Sequence, residues 1–133
     1  MDVKRATFPK SERLSWKRHI DRLFAEGRSF VAYPLRVVYL PVRTEPAATA
    51  VSVLVGVPKR KLRHAADRNF VKRRIRESYR LRKQDAFCSL AGKDGTLLLA
   101  FLYLDAQKSP FAVIDAAMKK ALASLQATLR LPG

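Results

Sequence analysis

The chain has 133 residues, of which 48% are hydrophobic, and this is enough apolar material for one folded domain with a core. Its 27 Lys and Arg residues outnumber its 11 Asp and Glu residues, and the resulting formal net charge of +16 predicts a polyanionic partner. The one cysteine, Cys88, excludes an internal disulfide and a cysteine-cluster metal site, and no apolar run reaches the roughly 20 residues of a membrane span. We therefore expect a cytoplasmic protein. Residues 1–133 should form a single domain, in which 1–12 are a flexible basic segment.

The first half of the chain predicts one short helix followed by strands. Residues 15–27 carry apolar side chains at helical spacing, and Gly27 stands where a left-handed C-terminal cap belongs. Residues 30–40 and 49–57 are rich in β-branched and aromatic residues, which is typical of strands. They form two or three strands depending on whether Pro34 divides the first, and we expect three.

The second half predicts a helix, a strand and a final helix. Residues 67–83 form a strongly basic helical pattern, and 97–104 are an apolar run long enough for a buried strand. Ser109-Pro110 is a helix-start pair, and apolar residues recur at helical spacing after it. The expected order is α-β-β-β-α-β-α, and the expected fold class is an α+β or α/β sandwich.

The basic segment carries most of the net charge. Residues 59–83 hold 12 of the 27 basic side chains and only two acids, Asp67 and Glu77. A helical projection places Val71, Ile75 and Tyr79 on the side that packs on a sheet. The opposite arc contains Asn69, Lys72, Arg73, Arg76, Arg80 and Lys83. A merely solvated face would normally alternate acids with bases, so this face predicts contact with a phosphate backbone.

The cationic loop in front of this helix extends the same surface. Its backbone N–H groups and the positive end of the helix dipole both suit phosphate. The candidate residues for binding a nucleic-acid backbone are therefore Lys59, Arg60, Arg63, Arg68, Asn69, Lys72, Arg73, Arg76 and Arg80.

The order of these motifs resembles the protein subunit of bacterial ribonuclease P. The matching residues are Arg13-Leu14, Phe24 and Gly27 around the first helix, Val37 and Tyr39 in a strand, the strand exit Val57-Pro58-Lys59-Arg60, the pair Arg68-Asn69, and Lys72, Arg73 and Arg76. Phe70 departs from the pattern, because it stands where the family usually has a third motif residue, arginine. The departure affects one RNA contact and leaves the main basic face intact.

The resemblance implies a left-handed βαβ crossover around the basic helix, against the usual hand. It also implies a protein that binds a large catalytic RNA and helps it remove the 5′ leader of precursor tRNA. The RNA would hold both the chemistry and the Mg²⁺, so no catalytic residue, protein-bound cofactor, membrane or obligate protein partner is expected. A cleft between the first helix and the sheet would take the leader, and its matching residues are Ile20, Phe24, Val37 and Tyr39.

Three alternatives fit the sequence less well. A self-sufficient nuclease would need clustered carboxylates or a histidine pair, whereas His19 and His64 lie in different elements without an adjacent acid. A general RNA-binding or ribosomal-type protein explains the charge but not the ordered motifs. A membrane-surface protein would need the apolar side of the basic helix to be free for lipid.

Overall fold

The computed structural model describes residues 17–42, 51–87 and 96–129. Within these ranges the elements are α1 (Lys17–Glu26), β1 (Arg28–Ala32), β2 (Leu35–Val42), β3 (Val51–Gly56), α2 (Ala65–Phe87), β4 (Thr96–Tyr103) and α3 (Phe111–Leu129). This confirms the predicted order, with a turn at Tyr33 and Pro34 dividing the first apolar run into two strands. Cys88 and the expected basic segment 1–12 lie outside the described residues. No helix in the described ranges is long and apolar enough to cross a lipid bilayer.

The described strands form one mixed sheet in the order β1-β2-β4-β3. β2 pairs antiparallel with β1 on one side and with β4 on the other. β3 and β4 are parallel neighbours, with Val53 opposite Leu99. Because α2 connects them, the chain contains the βαβ unit that the resemblance implies, and the hand of this crossover stays a prediction.

Two apolar clusters lie on the two faces of the sheet, because side chains alternate along each strand. On one face, Val37, Val53 and Phe101 pack with buried residues of α2 and α3. On the other face, Leu23 of α1 packs with Val38, Val42, Leu98 and Ala100. The described part of the chain therefore has three layers: α1, the sheet, and the pair α2 and α3.

Gly27 joins α1 to β1, but it is not the left-handed cap that the sequence predicts. Its φ angle lies outside the left-handed region. A Cβ atom at this position would lie 2.3 Å from the backbone oxygen of Leu23 and 3.1 Å from that of Tyr39. The Gly27 amide donates a hydrogen bond to the same Leu23 oxygen, at 2.8 Å. Glycine is needed here for the close approach of α1 to β2, and not for its backbone angle.

The turn between β4 and α3 is fixed by a buried tyrosine. The Tyr103 hydroxyl donates to the backbone oxygen of Gln107 and accepts from the Ser109 amide at 2.9 Å, and it also bonds the Ser109 hydroxyl at 2.8 Å. This network holds the segment that carries Lys108 beside the start of α2.

Candidate nucleic-acid interface

The basic helix α2 lies in a corner between the sheet and α3. Val71, Ile75 and Tyr79 are buried, as the projection predicts, and the Tyr79 ring lies 5.7 Å from that of Phe101 in β4. Ser78 is also buried, on the side that faces α3. Because two neighbours cover α2, its buried arc is wider than the sequence projection assumes.

A carboxylate on α3 holds α2 in this corner. Asp115 accepts hydrogen bonds from the Arg82 Nε and Nη2 atoms at 2.8 and 2.7 Å, and from the Ser78 hydroxyl at 2.6 Å. The hydrogen bond from Arg82 is the main reason why the pKa of Asp115 is lowered, and Ser78 adds to it, while partial burial acts in the opposite direction. The charge of Arg82 is therefore neutralised by Asp115 and helps to hold α2 against α3.

The wider buried arc changes which side chains of α2 reach solvent. Asn69 and Arg73 are exposed, whereas Lys72 and Arg76 are half-buried. Lys83 is only 9% exposed, so its predicted place on the open basic face is wrong. It follows Tyr79 by one helical turn, on the side that packs inward.

An ion pair with the neighbouring Glu77 makes Arg80 less available to bind phosphate. Its Nε and Nη2 atoms lie 2.9 and 2.6 Å from the two carboxylate oxygens of Glu77. This hydrogen bonding lowers the pKa of Glu77 and raises that of Arg80. Both side chains remain accessible, so a stronger anion can still compete for Arg80.

The loop between β3 and α2 is ordered by its own backbone and one buried side chain. The amides of Lys61 and Leu62 donate to the Pro58 oxygen at 3.0 and 3.2 Å, and Leu62 is buried in the cluster under α2. Lys59, Arg60 and Arg63 are exposed around this anchor. Their charges are thus presented by a fixed loop.

Arg68 bonds the backbone of that loop. Its Nη1 atom donates to the backbone oxygens of Leu62 and Arg63, at 3.0 and 2.7 Å, and its side chain is half-buried. In the structure, Arg68 ties the cationic loop to the first turn of α2 and so positions Arg63 and its neighbours. Its predicted contact with RNA stays a prediction.

Four cations of the loop before α2 and of α2 itself reach solvent without a partner among the described residues. Lys59, Arg60, Arg63 and Arg73 are exposed and make no ion pair there. Together with the exposed amide of Asn69, they form what we call the cationic surface.

The predicted leader cleft is not assembled as the sequence analysis expects. Ile20 packs at the edge of the cluster on the α1 face, and Phe24 of α1 is 46% exposed. Val37 and Tyr39 are 0% and 8% exposed, and they point into the cluster of α2 and α3 on the opposite face. The four residues therefore do not line one cleft. The prediction assigned Val37 and Tyr39 by motif position, without the strand alternation that selects the face.

Sequence reasoning also missed an exposed aromatic contact. The projection places Phe70 at the edge of the apolar side, but the ring is 40% exposed and the Arg74 guanidinium lies against it. The exposure of Phe70 could not be predicted from an isolated helix, because the packing of α2 against the sheet and α3 determines which of its sides reach solvent. Lys108, from the turn before α3, lies on the same side.

The acidic and histidine side chains are scattered in the described ranges. No group of three or more His, Cys, Asp or Glu residues there could hold a metal ion. His64 is exposed before α2, where its backbone oxygen accepts from the amides of Asp67 and Arg68.

Comparison with known proteins identifies the family. The family model for Ribonuclease P matches residues 8–126. The ribonuclease P protein component of Porphyromonas gingivalis is 41% identical over 119 residues, which are 88% of this chain and 86% of that protein. The ribonuclease P protein component of Chlorobaculum tepidum is 38% identical over 102 residues, which are 71% of this chain and 66% of that one.

A solved structure shares the fold. The RNase P protein of Staphylococcus aureus has a TM-score of 0.66 against this chain, covers 88% of it and 97% of its own length, and is 17% identical. At that identity the likeness concerns the fold alone. The family match over most of the chain and the 41% identical relative carry the stronger conclusion: the chain belongs to the family of ribonuclease P protein components.

Proposed function

We propose that this protein is the RNA-binding subunit of ribonuclease P, and that in the cytoplasm it assembles with a catalytic RNA and assists removal of the 5′ leader from precursor tRNA. The observation that carries the proposal is the cationic surface: Lys59, Arg60, Arg63 and Arg73 are exposed without ion pairs in the described residues. They stand on an ordered loop and on a helix that packs against the sheet and α3, so their backbone is already in place before RNA binds.

The sign and exposure of these charges suit a phosphate backbone. Asn69 adds a donor and an acceptor, which can bond a phosphate, a 2′-hydroxyl or a base edge. If the surface makes about six phosphate contacts, including the half-buried Lys72 and Arg76, affinity for RNA falls about 1,000-fold between 50 and 200 mM monovalent salt.

The protein's role in the reaction is to bind and position. Its described side chains offer neither grouped carboxylates nor paired histidines for phosphodiester cleavage. Under the proposal the RNA holds the Mg²⁺ that activates the attacking water, and the protein neutralises phosphates around it.

The 5′ leader would lie on the α1 face of the sheet. Ile20 and Phe24 stay in this part of the proposal, because their helix covers β2 and β4 and leaves Leu54 and Leu102 only half-buried. Arg36 is exposed on the same face and bonds the Ser29 hydroxyl at 3.3 Å. Exposed apolar side chains beside a cation suit a single strand. Val37 and Tyr39 drop out, because they point to the other face.

A cleavage assay tests the proposal. Precursor tRNA is incubated with the protein, with ribonuclease P RNA of the same organism, or with both, at low Mg²⁺. We expect cleavage at the mature 5′ end to need the RNA and to be stimulated by the protein. Arg73→Gln should weaken stimulation, whereas Lys120→Gln, an equal loss of charge on the exposed side of α3, should not.

Two results would count against the proposal. Cleavage by the protein without RNA would place the chemistry in its side chains. Tight binding to RNA without any effect on cleavage would favour a general RNA-binding protein instead.

A further inference from the structure

Phe70 is an exposed ring at the edge of the cationic surface. It follows Asn69 on α2 and is 40% exposed. A single exposed apolar side chain is ordinary on a protein surface. What distinguishes Phe70 is the set of charged groups that surround it.

Two cations lie against the ring. The Arg74 Cζ atom is 4.0 Å from the ring centroid, and the Lys108 Nζ atom is 5.2 Å from it. Both distances fall within the range of about 6 Å in which a cation is attracted to an aromatic face. Lys108 is held from the other side by Asp67, whose Oδ1 atom lies 3.3 Å from its Nζ atom.

Arg74 has no other use in the described structure. Its Nε atom is buried without a hydrogen-bond partner, and the side chain makes no ion pair with the described residues. No described acid therefore neutralises its charge, and its Cζ atom lies over the Phe70 ring. The aromatic ring and the cation are thus in direct contact on α2.

We propose that Phe70 and Arg74 form a stacking site for one unpaired nucleobase of the RNA, with Lys108 placed for the adjoining phosphate. This inference rests on the proposed function, because it takes RNA as the partner. Aromatic rings and guanidinium planes both stack on splayed-out bases, and neighbouring cations neutralise the phosphate. Paired bases inside a duplex are covered by their neighbours, so the site suits an unpaired nucleotide.

Charge decides against a purely apolar occupant at this position. Such a partner would desolvate Arg74, whose charge no described acid compensates. A nucleotide carries a flat base and a negative charge together, and Phe70 with the adjacent Arg74 offers the complement of both.

The experiment separates stacking from charge. Affinity for ribonuclease P RNA of the same organism is measured at several salt concentrations for the unmodified protein, Phe70→Leu and Phe70→Tyr. Phe70→Leu keeps apolar bulk but removes the ring, and Phe70→Tyr keeps the ring. Tyr33→Leu is the matched control, because it removes an exposed ring in the turn between β1 and β2.

Phe70→Leu should weaken binding about tenfold at every salt concentration, which corresponds to about 1.4 kcal/mol. The slope of log affinity against log salt should stay unchanged, because no charge is removed. Phe70→Tyr and Tyr33→Leu should bind like the unmodified protein. Chemical probing should find one base that is protected in the unmodified complex and reactive in the Phe70→Leu complex.

The inference is wrong if Phe70→Leu binds like the unmodified protein, or if its weaker binding follows a lower melting temperature. It is also wrong if no base changes its reactivity. In these cases the proposed function still stands when Arg73→Gln flattens the salt slope. If the unmodified protein does not bind the RNA, both fail together.

Discussion

Arg82 of α2 and Asp115 of α3 form a two-pronged ion pair, with N–O distances of 2.8 and 2.7 Å. It joins the helix that carries the cationic surface to the helix behind it. The Ser78 hydroxyl donates to the same carboxylate at 2.6 Å, so one acid receives three hydrogen bonds from α2. Arg82 thus helps to fix the orientation of α2, and with it the direction in which the other cations of the helix point.

Removing the charge of Asp115 should destabilise the fold in a pH-dependent way. Asp115→Asn should cost about 1–2 kcal/mol at neutral pH, because charge-assisted hydrogen bonds are weakened by partial exposure. This lowers the melting temperature by roughly 3–8 °C. The pKa of Asp115 is below its ordinary value of 3.8 in the folded state. The stabilisation is therefore complete above that value and is lost as pH falls through the lower, folded pKa.

Thermal melts at pH 7 and at successively lower pH values below 4 check this. The gap between the unmodified protein and Asp115→Asn should narrow as pH falls. Glu77→Gln is the control, because Glu77 also bonds an arginine through both oxygens but lies exposed within one helix. It should leave the melting temperature nearly unchanged. A constant gap at all pH values would show that the charge of Asp115 does not matter.

The same Glu77→Gln substitution should strengthen RNA binding. It removes an exposed acid from α2 and, with it, the carboxylate that competes with phosphate for Arg80. We expect the slope of log affinity against log salt to steepen by about one unit, whereas Arg73→Ala flattens it by about one unit. The measurement is a salt titration of binding to ribonuclease P RNA. If Glu77→Gln has no effect on the slope, Arg80 lies outside the interface.

Arg68→Ala should weaken RNA binding through the loop it holds. Without the hydrogen bonds to Leu62 and Arg63, the segment 59–63 loses its tie to α2. Hydrogen exchange of that segment in the free protein should accelerate, and affinity for RNA should fall. Arg73→Ala should lower affinity without changing exchange in the loop. Unchanged exchange in Arg68→Ala would make Arg68 a direct RNA contact instead.

Gly27→Ala should loosen α1 from the sheet. The added Cβ atom would meet the Leu23 oxygen at 2.3 Å, and backbone atoms cannot rotate away as a side chain can. We expect a loss of about 1–3 kcal/mol, measured by chemical denaturation. Gly56→Ala is the matched control, because its Cβ atom would meet only the side chain of Leu102, at 3.0 Å. Equal losses in both variants would contradict the close-approach explanation.

Most of the fold could be predicted from the sequence, because its elements have strong local signals. The apolar spacing of Val71, Ile75 and Tyr79 is enough to orient α2 on the sheet, and Pro34 is enough to divide the first strands. The position of Lys83 could not be predicted, because a helical projection assumes one neighbour and α2 has two.

The candidate site was less predictable where it depends on pairing across elements. Nothing near Arg82 in sequence indicates Asp115, which lies 33 residues away. Likewise, Val37 and Tyr39 match the motif by position, but the face on which they point follows from strand register. Local patterns find charged segments, and tertiary contacts decide which of their charges are free.

Truncation of Phe24 and truncation of Tyr39 should have different effects, the first on leader binding and the second on stability. Phe24 is half-exposed on α1, so Phe24→Ala should leave the melting temperature nearly unchanged and weaken holoenzyme binding of precursor tRNA with a long leader. Stacking on a single strand is worth about 1–3 kcal/mol per base, which sets the expected loss. Binding of mature tRNA should not change, because it has no leader.

Tyr39→Ala should instead destabilise the whole protein. Its ring is buried beneath α3 and lies 6.0 Å from the Phe30 ring, so truncation leaves a cavity that costs about 3 kcal/mol or more. Any loss of binding should then be equal for precursor and mature tRNA and should disappear at temperatures where the variant is folded. Parallel melts and binding titrations with both RNAs distinguish the two variants. A leader-dependent loss in Tyr39→Ala, with an unchanged melting temperature, would return Tyr39 to the leader site and contradict the separation of the two faces.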